Sequence, residues 1–128
     1  MELVTIVTML ALIEFIYFGG KVGGARGKYE INAPATSGNE MFERYYRVHY
    51  NTLEQLISFV PALWAFGFYV SYEYAAGLGL VYIIGRIIYS NAYVKEPKTR
   101  TAGVLISFLP VLIMIIGAII GASMSYFA

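Results

Sequence analysis

The sequence predicts an all-α fold, an integral-membrane bundle of four helices, on three observations. Of its 128 residues 59% are hydrophobic and only 13% charged, where soluble domains carry roughly 25% charged residues. Four apolar segments, near 3–22, 48–70, 74–94 and 102–127, each approach the ~20 residues that cross a bilayer as a helix. The charges are gathered mainly in the connections. Open strands leave backbone groups unsatisfied in lipid, so helices are the expected spanning elements. A single domain over 1–128 is expected at this length.

The first segment follows Met1-Glu2 without a basic region or a small-residue cleavage site, so it is expected to be retained. It carries Glu14 in mid-span, for which a structural ion pair with Arg86 is the simplest expectation. Gly19, Gly23 and Gly27, with Gly20 and Gly24 beside them, recur at helical spacing and predict close helix contacts. The run GGKVGGARGK is not a phosphate loop. Val22 stands where the first glycine of that motif belongs, and Tyr29 follows the lysine in place of Ser or Thr.

A long polar link is expected over 23–46, with Pro34 and the Ser-Gly-Asn run at 37–39. The second and third spans are joined by a tight turn at Ser71-Tyr72-Glu73, the third and fourth by the basic loop 95–100. Pro61 and Pro110 are candidate kink positions. Gly117 and Gly121 are further expected helix contacts. Lys21, Arg26, Lys28, Arg44, Lys95, Lys98 and Arg100 all belong to the first and third links, while the other side carries Glu2 and Glu73 and no Lys or Arg. The positive-inside rule therefore puts those two links in the cytoplasm and both termini opposite, across the inner membrane if the cell is bacterial.

Several functions are excluded by composition. A net charge of +1 provides no basic face for nucleic acid. With no cysteine there is no disulfide, thiolate metal site or protein thiol nucleophile, so any thiol chemistry must use the substrate's thiol. His49 is the one histidine and no aspartate accompanies it, so no metal site is expected.

The chemistry-bearing residues form two stripes. Arg47, Asn51 and Glu54 stand at i, i+4 and i+7 on one helix face, with Gln55 at its edge and Arg44 a turn earlier. His49 lies about 200° round the helix from Arg47 and addresses a different neighbour. Arg86, Tyr89 and Tyr93, at i, i+3 and i+7, form the second stripe, which rises toward the basic loop. Arg26, Arg47 and Arg100 are expected to converge with these residues on one anion-binding region. Paired charges inside a bundle can be purely structural. Two matched stripes on different helices favour a binding site, because charge within a membrane costs a few kcal/mol and is usually retained for function.

FERYYRVHYNTLEQ (42–55), APATSG (33–38) and GRIIYSNAYVKEPKTR (85–100) resemble the membrane-associated proteins in eicosanoid and glutathione metabolism. The resemblance covers nearly the whole chain. It is closer to the bacterial and microsomal glutathione transferase branch than to the leukotriene-forming synthases. It implies a four-helix homotrimer that binds glutathione between subunits and conjugates it to a lipophilic electrophile, or uses it to reduce a lipid hydroperoxide. By position it implies that Arg47, Asn51 and Glu54 hold glutathione, with Tyr89 and Tyr93 beside them. Arg26 would approach the pocket from the first helix and His49 from the neighbouring subunit, and Arg100 would activate the thiol. Two departures stand out: synthase-type relatives have a second arginine where this chain has Gly27, and a tyrosine where it has Gln55. Some relatives are non-catalytic lipid- or partner-binding scaffolds, which is the alternative that the resemblance leaves open.

Overall fold

A computed structural model describes residues 1–128. Four long helices make up the chain: α1 (Glu2–Tyr29), α2 (Glu40–Tyr69), α3 (Tyr72–Lys95) and α4 (Thr101–Phe127), with a short 3₁₀ turn at Pro97–Thr99 before α4. The expectation of a bundle of four helices is met. At 1.5 Å per residue the 28 residues of α1 extend about 42 Å, longer than a hydrocarbon core.

Two expected boundaries need correction. The link of 23–46 shrinks to 30–39, because α1 continues through its glycines to Tyr29 and α2 starts at Glu40. Glycine is a poor helix former, but its penalty of ~1 kcal/mol is small beside the uninterrupted hydrogen bonding of a long helix. The second correction concerns α2. Helices α1, α3 and α4 are long and apolar enough to cross a membrane, whereas α2 is as long but polar in its first half. Both internal prolines, Pro61 and Pro110, lie within continuous helix.

Local chemistry sets the helix starts. The Asn39 side chain accepts a hydrogen bond from Phe42 N (3.0 Å) and that of Ser71 accepts one from Tyr74 N (3.2 Å), each satisfying a free donor of the first turn. All four helices contribute to the main core, for example Val7, Leu63, Tyr82 and Met114, and Phe59 stacks on Tyr82 with ring centroids 3.8 Å apart. The outer surface is also apolar: Ile16, Ile57 and Ile119 are more than 60% exposed, as suits a chain solvated by lipid. It is a membrane protein.

Gly85 and Gly103 let α3 and α4 meet backbone to backbone. A Cβ on Gly103 would collide with the backbone N of Tyr89, and one on Gly85 with that of Ser107. Gly117 and Gly121 are close contacts as expected, against Phe66 and Tyr69. The first-helix stripe behaves differently. Gly19 touches His49, while Gly20, Gly23, Gly24 and Gly27 face open space within the chain.

Candidate functional site

Arg44 shows which helix ends lie together. Its Nη1 donates to the carbonyls of Val94 (2.9 Å) and Lys95 (3.2 Å), which ties the start of α2 to the end of α3. The first and third links therefore share one end of the bundle. Near that end the polar stripes of α2 and α3 face a common cleft of about 250 Å³, which α4 closes with Ser107 and Phe108.

Arg47, Asn51, Tyr89, Tyr93 and Arg100 all line this cleft. Glu54 stands at its edge: its Oε1 receives Arg47 Nη1 at 3.2 Å and Asn51 Nδ2 at 3.3 Å. The Arg47–Glu54 pair is about half exposed and adds little stability, so both groups can exchange each other for a ligand at small cost. Tyr89 and Tyr93 stack with centroids 5.6 Å apart, and the Arg100 guanidinium lies 6.0 Å from the Tyr93 ring. Arg100 itself is exposed, and its side chain's one hydrogen bond within the chain goes to the Pro97 carbonyl at 3.3 Å.

Arg86 was expected on the second stripe without a ligand contact of its own, yet it organises the cleft. It is 1% exposed and its Nη2 donates to Asn51 Oδ1 (2.9 Å) and Thr52 Oγ1 (2.8 Å), fixing the orientation of the Asn51 amide. Its guanidinium also sits 4.2 Å from the Tyr89 ring centroid, within cation–π range. The signal was available: an arginine within a membrane helix, on the same stripe as two site tyrosines. The expected Arg86–Glu14 ion pair is not formed. Arg86 turns to α2 instead, and both Glu14 carboxyl oxygens are buried without a hydrogen-bond partner.

Arg26 and His49 lie apart from the cleft. The Arg26 Nη1 donates to the carbonyls of Ala35 (2.7 Å) and Ile31 (3.4 Å), and its guanidinium lies 4.9 Å from the Phe42 ring, so it fastens the first link. The expected convergence of Arg26 with Arg47 and Arg100 is thus absent within one chain. His49 does address a different neighbour from Arg47, for its ring stacks on Phe15 of α1 at 4.5 Å.

Three guanidinium groups surround this small cleft, with one carboxylate at its edge, a donor set whose chemistry suits an anion that also carries a cationic group. The sequence model of the MAPEG family matches residues 4–120. The chain belongs to that family. A Synechocystis protein of uncharacterised function is 43% identical over 115 residues, covering 90% of this chain and 84% of that relative. Human microsomal glutathione S-transferase 2 is 36% identical over 118 residues, 91% of this chain and 80% of its own length. Bovine leukotriene C4 synthase is 34% identical over 96 residues, 75% of this chain and 64% of its own length.

Proposed function

We propose that this MAPEG protein is a glutathione transferase of the membrane, a homotrimer that joins glutathione to lipophilic electrophiles and also reduces lipid hydroperoxides. The observation that carries this function is the gathering of Arg47, Asn51, Tyr89, Tyr93 and Arg100 around one cleft of a membrane bundle. Similarity to glutathione S-transferase 2 and leukotriene C4 synthase supports a thiol peptide as the ligand.

The donor set fits glutathione. Arg47 and Asn51 supply charge-assisted and neutral hydrogen bonds for its carboxylates, and Glu54 takes its ammonium group in place of Arg47. Tyr89 and Tyr93 wall the pocket. A guanidinium is a fixed cation and not a base, so Arg100 stabilises a thiolate whose proton leaves to solvent. In conjugation the sulfur forms its bond to carbon as the electrophile's leaving group departs or its strained ring opens. With a hydroperoxide, two glutathiones become one disulfide while the peroxide becomes alcohol and water.

A cleft of 250 Å³ is smaller than most small-molecule sites, which begin near ~300 Å³, and suits a pocket completed by a second subunit. In such a trimer Arg26 and His49, both on the α1 side of the chain, belong to the subunit that closes the cleft of its neighbour. The acceptor enters from the bilayer between helices, and the first and third links face the cytoplasm.

Conjugation of glutathione to a chloronitrobenzene acceptor by the purified protein tests the assignment. Arg100→Ala should lower kcat about 100-fold, the usual cost of removing one donor from a developing or stabilised anion, while glutathione binding is largely kept. Arg47→Ala should raise KM for glutathione. Turnover that survives Arg100→Ala would remove Arg100 from the mechanism. Glutathione affinity without turnover on any electrophile would instead assign the non-catalytic binding role.

A further inference from the structure

The chain has a second cavity, larger than the polar cleft. A groove of about 830 Å³ runs between α1, α2 and α3. It lies on the other face of α3: Ile87, Ser90 and Asn91 line the groove, whereas Arg86, Tyr89 and Tyr93 line the cleft. Neighbouring stripes of this kind point in different directions around a helix, so a molecule in the groove does not reach the site of the proposed thiol chemistry.

The groove is divided along its length. Leu10 and Ile13 of α1 face Ile83 and Ile87 of α3 across apolar walls, while Lys21 and Lys95 stand at the end shared with the first and third links. Neither lysine has a carboxylate within ion-pair distance, because the ion pairs of the chain are Met1–Glu2, Arg44–Glu40 and Arg47–Glu54. Arg44, also at this rim, is held by Glu40 and by the carbonyls of Val94 and Lys95. Ser90 and Asn91 add hydrogen-bonding side chains about a turn below Lys95. The one carboxylate among the lining residues, Glu14, is seven residues below Lys21, or about 10 Å along the helix. That is too deep to meet a cationic choline or ethanolamine group carried beside a phosphate at the rim.

An apolar trough open to lipid, ending in two ammonium groups that make no ion pair within the chain, selects one kind of amphiphile. We infer that this groove is a binding site for an anionic phospholipid, with one acyl chain between α1 and α3 and the headgroup phosphate between Lys21 and Lys95. The site recognises charge at the headgroup and is separate from catalysis.

Native mass spectrometry of the full-length protein, released from detergent with phosphatidylglycerol or phosphatidylcholine of the same acyl chains, tests this inference. The wild type should retain phosphatidylglycerol in preference, and less of it as salt is raised. Lys21→Gln/Lys95→Gln should reduce that retention about 25-fold, from ~1 kcal/mol per lysine, with phosphatidylcholine retention and glutathione binding unchanged. Ile87→Trp keeps both lysines but fills the trough, and should also expel phosphatidylglycerol. Circular dichroism confirms that each variant is helical, and Lys21→Arg/Lys95→Arg should restore retention where charge alone is needed. Equal retention of the two lipids by the wild type overturns the inference, as does undiminished retention in the glutamine variant. Loss of a subunit from the Ile87→Trp assembly, without any lipid in the wild type, would show that another copy fills the groove and would equally overturn it.

Discussion

Arg86 is buried without a carboxylate partner, and its charge is met by the Asn51 amide, the Thr52 hydroxyl and the Tyr89 ring. Hydrogen bonds to a charged group contribute about 1.5–3 kcal/mol each, so Arg86 holds the Asn51 amide in the orientation that the proposed ligand would meet. Arg86→Met preserves the apolar bulk and removes both bonds. It should weaken glutathione binding at least 10-fold in calorimetric titration while the protein stays helical, and unchanged affinity would show that Asn51 needs no support. The stripe of Arg47, Asn51 and Glu54 was legible because one helix fixes the spacing of all three. The partner of Arg86 was not. It depends on how α1, α2 and α3 are rotated against one another, and periodicity within a helix carries no information about rotation between helices. For the same reason Glu14 was expected to pair and does not, and Arg26 was expected in the cleft and instead binds the carbonyls of its own following link.

Helices α3 and α4 form two walls of the cleft, and their separation is set where Gly85 meets Ser107 and Gly103 meets Tyr89. A methyl group at position 103 would collide with backbone, which cannot swing aside as a side chain can. Gly103→Ala should therefore cost about 1–3 kcal/mol, the usual penalty for overpacking, seen as a lower midpoint of thermal unfolding. It should also lower turnover, because Tyr89 is the residue displaced. A variant with wild-type stability and activity would mean that α3 and α4 separate freely. The count of helices and their approximate centres followed from the four apolar segments. Their ends did not, since residues 23–28 and the polar start of α2 read as link in composition but are helix in the chain. The glycine stripe was expected to pack against another helix. Within the chain only Gly19 does so, and the open face of Gly20, Gly23, Gly24 and Gly27 agrees with the proposed contact between subunits.

At the scale of the molecule, lipid-facing isoleucines surround the bundle and cations are concentrated at the end formed by the first and third links. That asymmetry underlies the proposed orientation, and the absence of native cysteine makes it easy to test. In intact cells a membrane-impermeant maleimide should label Glu73→Cys, and should label Lys98→Cys only after permeabilisation. The reverse pattern would invert the topology and put the cleft on the outer side. The positive-inside bias was readable from sequence because it depends on which links hold the charges. The proposed trimer was not readable from periodicity, which carries no information about contacts between chains.

The central claim is that the cleft of Arg47, Asn51, Tyr89, Tyr93 and Arg100 binds glutathione and holds its sulfur as the thiolate. Titrating the ultraviolet absorbance of the thiolate in the protein–glutathione complex tests it directly. A free thiol ionises near pH 8.5. A fixed guanidinium beside the sulfur favours the anion, so the bound thiol should ionise at least about one pH unit lower, and Arg100→Ala should return it toward the free value. A bound thiol that titrates as in solution, or one whose shift persists without Arg100, would contradict the account.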